Sequence, residues 1–425
     1  MRNQDSLDNR IKSRPVEAML ASLYGKSRLE EAKARLRDLA APLAATFPES
    51  ALRFYSAPGR TELGGNHTDH NRGKVLCAAV RLDALACVAP RTDRLVKIRS
   101  LGFPNEIVVD LGILAAQSSE RGTTAALVRG VAAKLAAKNI TVPGFEARID
   151  SRVIVGSGLS SSAAIEVLLG VIMTDLSGAE LSPIDIARIG QEAENEYFGK
   201  PCGLMDQSAS ASGGVVAIDF RDPANPILTN VDFDFRAEAY DLLVVNTGGS
   251  HADLTEDYAA MPAEMRAVAR LLGATELRDI DSDDLESRGP EIRSALGDRA
   301  LLRALHFVAE NKRVEAMVAA LAKGRFRRYL GLVRSSGDSS WRLLQNLVSG
   351  RNPAEQALCV ALVLSERFLG KRGVARVHGG GFAGTIQAYV RKDISREYRR
   401  YMESWFGAGS VIELVIRSKG ACRVL

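Results

Sequence analysis

Apolar residues recur at helical spacing from Leu29 to about Leu43 (Leu29, Ala32, Leu36, Leu39), which predicts an amphipathic helix. The residues before it, 1 to about 28, are polar and are expected to be ordered only in part. From residue 52 the pattern turns to short alternating or β-branched runs. Leu52–Ser56, Val75–Val80, Ala84–Pro90 and Val96–Arg99 read as strands, with Gly, Asn and Asp between them. Thr123–Lys138 reads as a helix and Phe145–Val155 as a strand. A long helix is expected from about Ser161 to Leu176, and another over Pro183–Phe198, behind Ser182 as cap and with proline at its first position. Val215–Phe220 and Tyr240–Asn246 read as short strands. Past residue 250 helical periodicity dominates, over Ala263–Leu272, Arg299–Glu310, Val314–Ala322, Ala354–Leu369 and Ile394–Trp405, interrupted by the alternating strands Gly384–Tyr389 and Val411–Ile416. This order predicts an α+β chain whose second part is ferredoxin-like. The expected division is a helical extension over 1–50, a first domain over 51–245 and a second over 246–425.

Composition narrows the classes. A chain of 425 residues exceeds one ordinary core, which agrees with two domains. The net charge is +5, from 56 basic and 51 acidic residues, and no Lys/Arg block with interleaved aromatics stands out, so nucleic acid is not an expected partner. The five cysteines, at 77, 87, 202, 359 and 422, form no Cys-x-x-Cys pair, which argues against a zinc site or disulfide framework and for a reducing compartment. The N-terminus is too polar for a signal peptide, and no apolar run is long enough for a bilayer. A cytoplasmic protein without a membrane partner is expected.

The chemistry concentrates in four segments. In Val153-Ile-Val-Gly-Ser-Gly-Leu-Ser-Ser-Ser-Ala a β-branched run enters a glycine loop, and a helix follows. Helix N-termini attract anions, and Gly156 and Gly158 allow a close backbone nest. Ser157, Ser160, Ser161 and Ser162 add hydroxyls, so the segment fits a phosphate cradle, though a turn with an N-cap fits it too. No Gly-Lys-Ser/Thr follows, so this is not the common P-loop and phosphate charge must be neutralised from elsewhere. Between Ser56 and Gly73, Arg60, Glu62, Asn66, His67, Asp69 and His70 crowd into what reads as a polar loop able to face a polyhydroxylated ligand; a solvated loop with Asx-turns is the plainer alternative. Asp206 sits among Cys202, Leu204 and Met205, where it can accept or orient a substrate proton or simply make a turn. Glu194, on the preceding helix, is a candidate Mg²⁺ ligand or an exposed helix glutamate. The glycines of Val377-His-Gly-Gly-Gly-Phe-Ala-Gly mark a close main-chain approach or a turn.

Together these segments resemble the GHMP small-molecule kinases, the galactokinases in particular. Ala57-Pro-Gly-Arg-Thr-Glu-Leu-Gly-Gly-Asn-His-Thr-Asp-His-Asn is similar to the galactokinase sugar signature, Gly156-Ser-Gly-Leu-Ser-Ser-Ser-Ala to the superfamily's phosphate loop, Pro201-Cys-Gly-Leu-Met-Asp-Gln to the segment with the catalytic Asp, and Gly379-Gly-Gly-Phe-Ala-Gly to the C-terminal motif. The motifs stand in the right order from about residue 50 to 390, with the first fifty residues outside the resemblance. It implies a two-domain GHMP kinase fold, with a ribosomal S5 domain 2-like N-terminal domain, a ferredoxin-like C-terminal domain and the site in the cleft between them. It also implies ATP-dependent phosphorylation of the anomeric hydroxyl of D-galactose by a protein expected to be a monomer. Arg60 and Asp206 would then be catalytic. Asn66, His67, Asp69, Gly203 and Tyr258 would bind the sugar, residues 156–162 (Leu159 among them) the ATP phosphates, and Ser162 and Glu194 the Mg²⁺.

The departures keep alternatives open. Asn66 stands where galactokinases usually carry Glu and would tolerate a C6 carboxylate, which makes a galacturonokinase or another sugar-1-kinase the alternative. A sugar sensor without catalysis is a third reading, opposed by the presence of the serine run, Arg60 and Asp206. Tyr is favoured where His70 stands. Ile154 replaces a frequent Pro, His378 a Gly or Thr, and Gly337 a His, which leaves the role of Ser335–Ser340 open.

Overall fold

The computed structural model describes residues 2–154, 156, 158–200, 202–248 and 254–425. Two sheets organise them. In the larger, Arg53–Gly64, Lys74–Pro90, Phe145–Ser151, Leu95–Ser100 and Ile107–Asp110 lie side by side in that order, and Cys422–Arg423 adds to the outer edge of the first. Val215–Asp219 pairs with the start of the 17-residue strand Lys74–Pro90, and Ile227–Val231 pairs beyond it. Among the described strand pairs of this sheet, Leu95–Ser100 with Phe145–Ser151 is the parallel one. The helices Thr124–Ala136, Ser161–Ser177, Pro183–Ala193 and Met205–Ser212 bury Val131, Leu168, Ile172, Ile189 and Ala209 against one face.

The smaller sheet has the order Val411–Leu414, Tyr240–Asn246, Thr385–Arg391, Gly373–His378, all antiparallel. With the helices Ala357–Leu369 and Ser395–Phe406 this is the expected ferredoxin-like layer. The expected boundary after residue 245 needs correcting, because Tyr240–Asn246 is a central strand of the second sheet. The chain's end also returns to the first sheet, where Tyr55 pairs with Arg423. The two layers share an apolar core in which Leu63, Leu76 and Val80 meet Val244, Met317 and Tyr329.

The expectation for residues 1–28 is also corrected. Arg2–Ile11 and Arg14–Tyr24 are helices, and with Leu29–Thr46 they bury Ile11, Leu20, Leu23, Leu36 and Leu39 against Phe54, Leu85 and Cys87 on the other face of the first sheet. Each such side chain contributes about 1.5–3 kcal/mol when fully buried, which outweighs the polar character of the segment. Beneath them Asp83 is fully buried, with Tyr24 Oη at 2.6 Å and Arg35 Nη1 at 2.6 Å, while Arg417 and Ser56 complete the cluster. A charge at that depth is tolerable only when its oxygens are paired in this way.

Several boundaries moved. Val75–Val80 and Ala84–Pro90 are one strand, Arg299–Glu310 and Val314–Ala322 one helix (Asp298–Ala322), and Pro183–Phe198 ends as a π-helical turn over Glu194–Phe198. The helix Phe326–Ser339 and the strand Gly373–His378 were not anticipated.

Candidate active site

The segment expected to be a polar loop is strand through Gly64, and Ala57 to Asn66 are buried. Its register slips between Pro58 and Arg60, an irregularity that redirects the side chain following it. Arg60 thereby meets Asp206, the second residue of the Met205–Ser212 helix. Nε lies 2.6 Å from Oδ1 and Nη2 2.7 Å from Oδ2, a two-pronged guanidinium–carboxylate pair. The Arg60 side chain is 8% exposed and that of Asp206 27%, so the carboxylate is the more solvent-accessible half of the pair. Burial disfavours the charge on Asp206, but the Arg60 guanidinium outweighs it and holds the carboxyl below its usual range, aided by the Ser160 hydroxyl and Lys200.

The glycine turn is fastened to the same arginine. Arg60 Nη1 donates to the Gly158 carbonyl, and the Arg60 N–H donates to the Leu159 carbonyl at 3.0 Å. Gly156 and Gly158 adopt φ of 76° and 71°, and Ser160 the rarer non-glycine value of 57°. Ser160 occupies the N-cap position of the Ser161–Ser177 helix without capping it, because its hydroxyl serves Asp206. Ser161 and Ser162 open that helix, half-buried, where backbone N–H groups lack intrahelical partners. Ser157 lies outside the described residues.

The expected sugar-facing residues converge on the C-terminal glycines. Asn66 Nδ2 donates to the Gly379 carbonyl at 2.7 Å, His67 Nε2 lies 2.8 Å from the Gly380 carbonyl, and Tyr258 Oη donates to the Gly381 carbonyl at 2.9 Å. Burial drives the His67 imidazole down to about 3, with the neighbouring His70 adding to the shift, so His67 is neutral. Asp69 reaches Gly203 so closely that any β-carbon there would collide with its Oδ2. Asn66 has further protein partners. It is fully buried, and its amide is consumed by protein: Nδ2 also lies 3.1 Å from Glu62 Oε1, and Oδ1 accepts from Asn346 at 2.8 Å and Ser340 at 3.2 Å. No hydrogen-bonding capacity on this side chain is left to face a ligand.

The serines between 335 and 340 find their place here as well. Ser340 holds Asn66, Ser339 Oγ lies 2.8 Å from His306 Nδ1, and Ser336 donates to Glu310 at 2.6 Å. His306 and Glu310, one turn apart, grip the backbone at the Asn66 carbonyl (3.0 Å) and the Gly65 N–H (3.0 Å). Gly337 packs on Arg376, whose guanidinium pairs with Glu62.

Glu194 is buried rather than exposed, and one amide nitrogen, Gln207 Nε2, lies 3.0 Å from its Oε2 and 2.8 Å from Glu166 Oε2. Burial, then the charge of Glu194, raises the Glu166 carboxyl well above the usual range, and among the described residues Glu166 Oε1 has no hydrogen-bond partner. Among the described residues no group of three or more His, Cys, Asp or Glu is placed to hold a metal. A buried carboxylate pair with an orphaned oxygen nevertheless fits a cation whose remaining ligands come from elsewhere. Glu166, Gln207, Asn346 and His306 were missed in the sequence. Glu166 had a signal, since it stands one helical turn beyond Ser162, and so had Gln207, beside Asp206 in a segment already singled out; Asn346 and His306 had none.

Comparison with known proteins places the chain among related sequences and folds. Residues 126–214 match the GHMP kinases N terminal domain, and residues 44–90 the galactokinase galactose-binding signature. A galactokinase of Streptomyces coelicolor is 36% identical over 345 residues, 79% of this chain and 84% of that protein. One of Actinobacillus pleuropneumoniae is 31% identical over 83% of this chain and 88% of that protein. In fold, the crystal structure of Lactococcus lactis galactokinase complexed with galactose superposes with a TM-score of 0.79 at 24% identity, covering 91% of this chain and 99% of that one.

Proposed function

The chain belongs to the galactokinase family of the GHMP kinases, and from that premise we propose that it transfers the γ-phosphoryl group of ATP to the anomeric hydroxyl of D-galactose, giving galactose 1-phosphate and ADP. The observation that carries the site assignment is the Arg60–Asp206 pair lying against the Gly158 turn. The ionised, partly open carboxylate of Asp206 takes or orients the proton of the C1 hydroxyl, and Arg60, held in place by it, offsets charge on the transferred phosphoryl group. The turn at 156–162 and the helix behind it receive the phosphates. His67, Asp69, Gly203 and Tyr258 hold the sugar hydroxyls. Asn66 belongs to the proposal as the residue that fixes the loop, not as one that reads C6, because its amide is already saturated.

Ser162 and Glu194 would hold Mg²⁺ beside Glu166. The ion would screen phosphate charge during transfer, standing in for the lysine that the glycine turn lacks. No helix among the described residues is long and apolar enough to cross a membrane. The described structure leaves all five cysteines as free thiols, which supports a cytoplasmic site of action. A monomeric state is part of the same reading and is checked by sedimentation equilibrium.

The experiment is sugar-dependent ADP release with galactose, galacturonate, arabinose, galactosamine and glucose. Galactose is expected to be preferred, and an Asn66→Glu variant to lose activity toward every sugar together. A clear preference for galacturonate would overturn the assignment of galactose, and absence of release with every sugar would overturn catalysis.

A further inference from the structure

One buried side chain near this site has no part in the chemistry just described. His378 ends the strand Gly373–His378, immediately before the glycine cluster, and is 2% exposed. Its ring joins the two sheets: Nε2 lies 3.0 Å from Thr61 Oγ1 on the first, and Nδ1 lies 3.0 Å from Thr385 Oγ1 on the second. Gln387 Nε2 steadies Thr61 from the other side at 2.7 Å. Gly158 lies directly on this ring. A β-carbon at Gly158 would stand 2.8 Å from His378 Nδ1 and 2.8 Å from Thr385 Oγ1. The carbonyl of that same Gly158 accepts from Arg60 Nη1. Ring, glycine turn, arginine and Asp206 thus form one unbroken chain of contacts.

We infer that His378 is a positioning residue that seats the Gly158 turn and, through it, orients Arg60 and the phosphates of ATP, without touching the sugar. Interiors are close-packed, so a displaced floor is felt by whatever rests on it. A displacement of about 1 Å at the reacting groups costs roughly a hundredfold in rate. The ring suits the task because it is neutral: burial brings the imidazole down to about 3, and the charges of Arg60 and Arg376 oppose protonation further. It therefore bridges two hydroxyls without adding a third positive charge beside those arginines.

The inference rests on the kinase reading, and the test separates the two. His378→Ala, His378→Asn and His378→Gln are compared with wild type for kcat, for KM of each substrate, and for the equilibrium affinities of ATP and of galactose by titration calorimetry. Asn can preserve the contact made by Nδ1, beside Gly158, and Gln the one made by Nε2, at Thr61. The expected result is a loss of tenfold or more in kcat with weaker ATP binding for Ala. Galactose affinity should stay within twofold, and Asn should restore more than Gln. Unchanged kcat and ATP affinity in all folded variants would overturn the inference, as would galactose affinity falling in parallel with ATP affinity. Should Ala fail to fold, the order of Asn and Gln decides, equal values counting against it. A wild type inactive on every sugar would sink the kinase reading, while the ATP titrations would still judge the role of the ring.

Discussion

Replacing Asp206 by Asn tests the centre of the site with the smallest change in shape. The wild-type carboxylate binds Arg60 through two contacts of 2.6 and 2.7 Å. Asn keeps one acceptor, loses the charge, and puts an N–H₂ group against a guanidinium that is only 8% exposed. At an effective dielectric of about 20, two unit charges about 4 Å apart attract by roughly 4 kcal/mol. Because Asp206 keeps 27% of its side chain open to water, the stability loss should fall below the 3–5 kcal/mol typical of breaking a fully buried pair, at about 1–3 kcal/mol. The kinetic effect should be larger. Losing the group that takes or orients the C1 proton costs about 10²–10⁴ in turnover, or roughly 3–5.5 kcal/mol of barrier. Sugar-dependent ADP release, coupled to NADH oxidation, gives kcat, and calorimetric titration gives the ATP affinity, expected within about threefold of wild type because the loss falls on the chemical step. A double variant carrying Arg60→Met as well should be no slower than the worse single one, since the two side chains act as a unit. Retention of more than about a tenth of wild-type kcat by Asp206→Asn, less than the smallest loss expected of an acid–base group, would refute the role, and so would multiplicative effects in the double variant.

Further outcomes follow from the same geometry. Gly158→Ala combines a φ of 71° with a collision 2.8 Å from His378, so it should destabilise by at least the 1–2 kcal/mol of a left-handed non-glycine residue and raise KM for ATP, read by urea melts and steady-state kinetics. Glu194→Gln should raise the Mg²⁺ concentration needed for half-maximal rate at least tenfold while galactose affinity stays unchanged; an unaltered Mg²⁺ titration would exclude Glu194 as a ligand. For pH, the His378 imidazole falls from 6.5 to about 3 on folding, so its contribution is complete above pH 6.5 and is lost as pH drops toward 3. At pH 5 the loss is about 2 kcal/mol, and His378→Gln should flatten the stability–pH slope between 7 and 5 by up to one proton. Deleting residues 1–28 uncovers Phe54 and Leu85 and removes Tyr24 from Asp83, so the truncated chain should lose cooperative unfolding or melt at least 10 °C lower by calorimetry.

The sequence by itself determined the order of elements, the α+β class, the ferredoxin-like second layer and the four segments that carry chemistry. These are written locally: periodicity sets helix or strand, and glycine, serine and charge at fixed spacing mark a turn or a ligand-facing stretch. It misjudged what depends on what lies opposite. The polar stretch after Ser56 reads as loop because strands are expected to be apolar. It is strand through Gly64, since Glu62 and Thr61 find Arg376 and His378, more than three hundred residues away, to satisfy them. The first 28 residues look too polar to fold until the underside of the first sheet supplies a surface for their few leucines. Asn66 shows the same division most sharply. Its chemistry allowed it to read a sugar's C6, whereas the tertiary structure surrounds its amide with Glu62, Ser340, Asn346 and Gly379, and the proposal therefore gives it a positioning role. Hydrogen-bonding capacity is a property of the residue, but whether any of it is left for a ligand depends on partners that the chain brings together only by folding.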